Sequence, residues 1–211
     1  MHDSHKLKID IQSYWHAGTG RGRSFEIDSV VHCDRDGLPA LPGRSVKGLV
    51  RDAVTAAVAL GWIQTASAID THVEVVDRLF GPLGVDGATT YPGWLQVSDA
   101  TLADDIRESV RGEANLRAAM FTNLFTTAVD HDRGSALDKS LRGTEVAVPM
   151  TLYATLSIDP HANQHAADLN PPTTDLALEW IKTSLPLLRS LGSHRNRGLG
   201  RATFSLLKDA R

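Results

Sequence analysis

Three short segments bring cationic side chains together with glycine, a composition that lets a polyanion approach the backbone closely. HAGTGRGRS at 16–24 carries His16, Arg21 and Arg23 among three glycines. LPGRSVKGLVRDAV at 41–54 sets Gly43, Arg44, Ser45, Lys47 and Arg51 around an expected helix start, where free N–H groups and the helix dipole favour phosphate. The pattern GxxxxGK[ST] is absent, which argues against nucleotide hydrolysis of the Walker kind. SHRNRGLGRATF at 193–204 supplies Arg195, Asn196, Arg197 and Arg201, with Gly198 and Gly200 keeping the backbone bare. Arginine there can stack on bases or grip phosphate in a bidentate fork. A plainly capped helix with solvated Lys47 and Arg51, and a turn of solvated arginines, are the structural readings of the same residues.

Asp28, Asp34 and Asp36 lie between the first two segments and offer hard oxygen ligands for a divalent cation; turn formation is the simpler reading of Asp34 and Asp36. The histidines His16, His32, His131, His161, His165 and His194 show no dependable ligand spacing. His161 and His165 are four apart, but the Pro and Asn around them favour an exposed linker over a helix face. Cys33 is the only cysteine, which excludes an internal disulfide and a thiolate zinc site built by one chain. A buried or incidental thiol is the better reading than a nucleophile, which would need a positioned His.

The net charge of −3 argues mildly against generic electrostatic binding to nucleic acid. Distribution counts for more. Arg and Lys collect at 20–23, 43–51 and 195–201, while acids dominate 70–77 and 99–108, which suits one basic groove on an acidic remainder. No stretch approaches the roughly 18 apolar residues of a membrane span, and MHDSHKLKID has no signal-peptide core, so a cytoplasmic protein without membrane contact is expected.

Those segments need a frame, and the 211 residues suffice for one compact domain with insertions. HKLKIDIQSYW, 5–15, alternates with Leu7, Ile9 and Ile11 on one side, as a half-buried strand does. After a turn-rich run to Pro42, Val46, Leu49, Val50, Ala53, Val54, Ala57 and Val58 recur at helical spacing, with Ser45 as the expected cap and Gly61 as the stop. VDRLFG, 76–81, closes a second helical or irregular stretch, and GWLQVSDATL, 93–102, alternates as a strand. The charged, Ala-rich 103–120 suggests a helix or insertion, and 121–144 lacks a sustained apolar period, which suggests a protruding loop or hairpin. TEVAVPMTLYATLSID, 144–159, resumes strand character, with Pro149 implying an edge or bulge. Leu176–Leu191 reads as an amphipathic helix capped by Thr174 or Asp175 and kinked at Pro186, and RATFSLL closes the chain as a strand. The order is that of an α+β, ferredoxin-like or RRM-like βαββαβ domain spanning 1–211, with long insertions.

In chain order, HAGTG at 16–20, Ile27-Asp28, GLPALPGRSVKGLVR at 37–51, RLFG at 78–81, WLQVSDATL at 94–102, DRGSALDKSLRGTEV at 132–146 and LGSHRNRGLGRATF at 191–204 resemble the RAMP superfamily. The likeness is to the backbone subunit of type III (Csm and Cmr) CRISPR effectors. Arg44 departs from the family's usual Ser, and VPMTLYATL lacks the usual glycine before its strand. The resemblance implies a guide-RNA (crRNA)-binding subunit that stacks with further copies of itself in a filament, beside other CRISPR effector subunits, and engages target RNA. It implies a thumb-like hairpin at 121–143 that interrupts the guide–target duplex, and it adds Arg133 and Arg142 to the RNA-binding set. It implies that Asp28 is the catalytic residue of a metal-dependent endoribonuclease, positioning Mg2+. A non-catalytic structural subunit, and a stand-alone RAMP endoribonuclease using His16 or His194 as acid-base groups, are the competing readings.

Overall fold

The computed structural model describes residues 4–23, 27–66, 69–84, 91–162 and 170–207. Period-2 alternation produces its central strand: in β1 (Ser4–Ile11) Leu7, Ile9 and Ile11 are buried, while Lys6, Lys8 and Asp10 point to the other face. β5 (Met150–Ile158) pairs antiparallel with β1, placing Ile9 opposite Leu152, and buries Leu152, Ala154, Leu156 and Ile158 on the same side. β6 (Ala202–Leu207) pairs antiparallel along the other edge of β1, and β2 (Leu95–Val97) along the outer edge of β5. The sheet order is therefore β2-β5-β1-β6, antiparallel throughout.

Two helices share the core with the buried face of this sheet. α1 (Gly43–Ala59) contributes Val46, Leu49, Val50, Val54 and Ala57, and α5 (Thr174–Ser184) contributes Ala177, Trp180 and Ile181. Full burial of each large apolar side chain stabilises by about 1.5–3 kcal/mol, which outweighs a typical single capping contact of about 1 kcal/mol. That balance explains why the helices form where the apolar period demands although their ends differ from expectation. Ser45 does not cap α1: the N-cap is Pro42, and no side chain of its own turn closes the helix. Thr173 caps α5, its hydroxyl accepting from the Leu176 N–H, and α5 stops at Ser184 because Pro186 enters a short 3₁₀ turn, Leu185–Leu187.

A π-turn at Val73–Asp77 leads into α2 (Arg78–Phe80), and 103–120 holds two short helices, α3 (Asp104–Val110) and α4 (Ala114–Ala119). The stretch read as one strand at 144–159 is two. β4 (Arg142–Ala147) pairs with β3 (Phe121–Thr126) in a separate antiparallel ribbon, and the chain crosses to the main sheet at Val148-Pro149, where proline has no N–H to continue a ladder. The ribbon is joined by the mostly exposed 127–141. Its inner end is anchored by reciprocal backbone bonds between Trp15 and Ala147 (3.1 and 2.8 Å), and both residues belong to the hydrophobic core.

Candidate nucleic-acid interface

The first Gly-rich segment folds around a buried histidine. His16 is 2% exposed; its Nδ1 lies 2.6 Å from the Glu145 carbonyl oxygen and its Nε2 2.8 Å from Ser29 Oγ. Burial pushes the imidazole below its usual range and nearby His194 adds to this, against the opposing pull of Glu145. The Glu145 side chain is itself buried, accepting from the Val31 N–H at 3.0 Å and facing Arg23 at 3.4 Å. The His16 backbone oxygen accepts from the Ser193 N–H at 2.8 Å, so the first and third Gly-rich segments meet at this residue. A Cβ on Gly192 would come within 2.4 Å of that same oxygen. Both His16 nitrogens are engaged, so His16 shapes the site from below and has no free nitrogen for RNA.

Above it, 27–31 runs beside β4: Asp28 N–H donates to the Gly143 carbonyl at 2.9 Å, Gly143 N–H donates back to Asp28 Oδ2 at 3.1 Å, and Ser29 bridges Thr144 in parallel. This fixes Asp28 without Arg21 or Arg23. Asp28 and Ser29 line a cleft of about 600 Å³ whose walls include Arg142, His194, Arg197 and Leu199, with Leu124 and Thr126 from the ribbon. Arg142 and Arg197 are exposed and pair with no described carboxylate. His194 holds a left-handed backbone (φ 57°), unusual for a residue with a Cβ, and starts the 3₁₀ turn Arg195–Arg197.

A second basic recess gathers Arg21, Arg23 and Arg44 with Thr19 and His32. The helix start beside Arg44 is not the open anion site its sequence suggested. Asp99 Oδ1 accepts from the Gly43 N–H at 2.7 Å, and the Ser45 and Val46 amides bond to the Pro42 carbonyl, so a carboxylate already answers the helix dipole. Lys47 is half-buried, with burial and then Arg51 pushing its ammonium below the usual range, and one Arg51 guanidinium nitrogen is buried without a hydrogen-bond partner. These two lie outside both recesses.

Other expected residues fall elsewhere. Arg133 sits in the 130–134 turn of the exposed connection, Arg195 and Asn196 are exposed on the 3₁₀ turn, and Arg201 lines a separate groove with Arg189 and Phe204. Asp34 and Asp36 form a turn and pair with Arg107 of α3 at 3.3 and 2.8 Å, which satisfies the turn reading. Burial pushes the half-buried Cys33 thiol up, away from nucleophilic character. His165 lies outside the described residues. Ser29, Glu145 and Thr126 were missed, since no local signal marks residues whose partners lie in other segments of the chain, as Glu145 lies 129 positions from His16.

The superfamily question is decided by extent: the family model for the RAMP superfamily matches residues 8–203. This chain belongs to the RAMP superfamily. The RAMP fold is shared with chains of two solved assemblies. One is the type III-B Cmr-beta complex bound to cognate target RNA, at 11% identity and TM-score 0.65 over 98% of both chains. The other is the apo state of type III-B Cmr-beta, at 12% identity and TM-score 0.64 over 98% of both. No curated protein matches the sequence. No described helix of this RAMP protein is long and apolar enough to cross a membrane.

Proposed function

We propose that this RAMP protein is a guide-crRNA-binding backbone subunit of a type III CRISPR effector complex that also cleaves target RNA. The observation that carries the reading is the cleft at the root of the β3–β4 ribbon that one exposed carboxylate, Asp28, shares with Arg142 and Arg197, two arginines paired with no described carboxylate. Arginines hold phosphate while base pairing reads sequence, so no base-reading pocket is needed. A few such contacts per copy suffice despite the acidic net charge. The sheet order, with α1 and α5 between its strands, supports the ferredoxin-like reading, and the β3–β4 ribbon with its exposed tip supports a thumb at 121–143. Stacked copies, other effector subunits and a cytoplasmic setting follow from the same reading.

For cleavage, RNA supplies its own nucleophile, the 2′-hydroxyl, so the protein's task is to hold the scissile phosphate for in-line attack. Among the described residues no three His, Cys, Asp or Glu side chains cluster as a metal cage. Magnesium does not require one, since it is commonly held by one or two carboxylates with water and substrate phosphate, and Asp28 fits as that single protein ligand. When bound there, the ion would offset charge developing on the phosphate oxygens. Arg142 and Arg197 would fix the phosphate, and Asp28 Oδ1, the oxygen not bonded to Gly143, would face the reacting group. The stand-alone endoribonuclease reading loses its His16 base, whose nitrogens are both engaged.

The test is the composition of the particle purified with its RNA. Native mass measurement should find several copies of the chain on one guide RNA. A single copy per RNA would overturn the backbone reading.

A further inference from the structure

Ser29 and Asp28 form adjacent parts of the cleft wall, and neither has a hydrogen to offer a ligand. The Glu145 backbone carbonyl can only accept, so the 2.6 Å contact puts the imidazole hydrogen on His16 Nδ1. The ring is deeply buried and bonds to no carboxylate, so it is neutral and its Nε2 is a bare lone pair. Ser29 Oγ therefore spends its one hydrogen on Nε2 across 2.8 Å and shows the cleft lone pairs alone. Gly18 leaves room for the ring: a Cβ there would lie 2.8 Å from Nε2 and 3.5 Å from Ser29 Oγ. Asp28 Oδ2 already takes the Gly143 N–H, which leaves Oδ1 as a second acceptor beside Ser29.

A phosphate oxygen finds no donor on such a surface, whereas Arg142 and Arg197 on the cleft walls offer many. Ser29 Oγ can therefore only accept from a ligand, and where the bases are engaged in pairing the donor a nucleotide brings is the single hydrogen of its ribose 2′-hydroxyl, the feature that separates RNA from DNA. We propose that Ser29 Oγ accepts a hydrogen bond from the 2′-hydroxyl of a target ribose whose phosphate lies against Arg142 and Arg197, so that Ser29 selects the sugar. This rests on the reading of the cleft as the target-RNA site. A guide ribose carries the same chemistry, and the test separates the two strands.

The experiment uses the assembled complex in chelator, with two matched targets competing for binding. They differ only at one nucleotide, at a cleavage position: ribose in one, 2′-deoxyribose in the other. Wild type should favour ribose about fivefold to tenfold, the effect of one hydrogen bond. Ser29→Ala should bind both alike, Ser29→Thr should restore the preference, and a 2′-O-methyl target, which lacks the hydrogen, should behave as the deoxy one. The same ribose preference in wild type and Ser29→Ala overturns the proposal, as does a preference that appears only when the guide strand carries the substitution. Cutting of an all-ribose target with magnesium is followed in parallel. If Asp28→Ala abolishes cutting while Ser29→Ala leaves the ratio unchanged, only the sugar assignment fails. If wild type never cuts yet shows a Ser29-dependent ribose preference, only the cleavage reading fails.

Discussion

Replacing Asp28 by alanine should abolish regularly spaced cutting of a matched target RNA in magnesium while guide retention and target binding persist. The carboxylate is exposed, and its one bond among the described residues, from Gly143 N–H to Oδ2, is partly solvated and sits beside the bond from Asp28 N–H to the Gly143 carbonyl. Its removal should therefore cost the fold little, within the ±0.5 kcal/mol usual for exposed sites. The chemistry should suffer far more. Loss of one preorganised electrostatic group at a reacting centre typically costs about 10²–10³-fold in rate, roughly 2.7–4 kcal/mol. Cutting rates on a single-turnover time course check this, with filter binding of the same target as the control. Undiminished cutting by Asp28→Ala, or cutting by wild type in chelator, would contradict the role given to Asp28.

Gly200→Ala should be the most damaging single substitution among the glycines of the C-terminal motif. Its backbone is left-handed (φ 68°), which costs a residue with a Cβ about 1–2 kcal/mol. A Cβ would also stand 1.9 Å from the Leu191 carbonyl oxygen, an overlap only backbone movement can relieve. That movement would break the Leu191 N–H to Gly200 carbonyl bond (2.9 Å), which closes the 191–200 loop, and the Gly200 N–H to Tyr14 carbonyl bond (2.7 Å), which joins that loop to the first strand's extension. We expect a loss of about 3 kcal/mol or more, lowering the melting temperature by roughly 6–12 °C for a chain of this size. Gly198→Ala is the control: it too is left-handed (φ 91°), but nothing lies within 4 Å of its would-be Cβ, so only the conformational cost of about 1–2 kcal/mol applies. Equal melting temperatures for the two variants would contradict the packing argument.

The contrast between Gly198 and Gly200 also shows what a sequence can and cannot convey. Both glycines read as bare backbone for RNA, yet one is open and the other is wedged against Leu191. The main-sheet strands and the helices were legible because their periods are local: Leu7, Ile9 and Ile11 on one face of β1, and Val46, Val50, Val54 and Ala57 along α1. What escaped was set by distant partners. Asp99, 56 positions from Gly43, fills the helix start that looked ready for phosphate. Glu145 lies 129 positions from the His16 ring it orients. A buried histidine and one at an RNA surface look alike as letters, and the Ser29 hydroxyl has meaning only once His16 is beneath it. Asp28, Arg142 and Arg197 entered from different segments; the ribbon's pairing with 27–31 brings the first two together, and the Ser193–His16 bond brings the segment of the third to the same cleft.

Whether target RNA is held in that cleft is tested most directly by the salt dependence of target-RNA affinity for the assembled complex carrying the wild-type chain or the double variant Arg142→Ala, Arg197→Ala. For single strands each phosphate contact contributes about 0.7 to the slope of log K against log salt. We expect the double variant to bind more weakly at low salt, with a slope shallower by about 1.4. Affinity and slope both unchanged would place the RNA elsewhere on the protein.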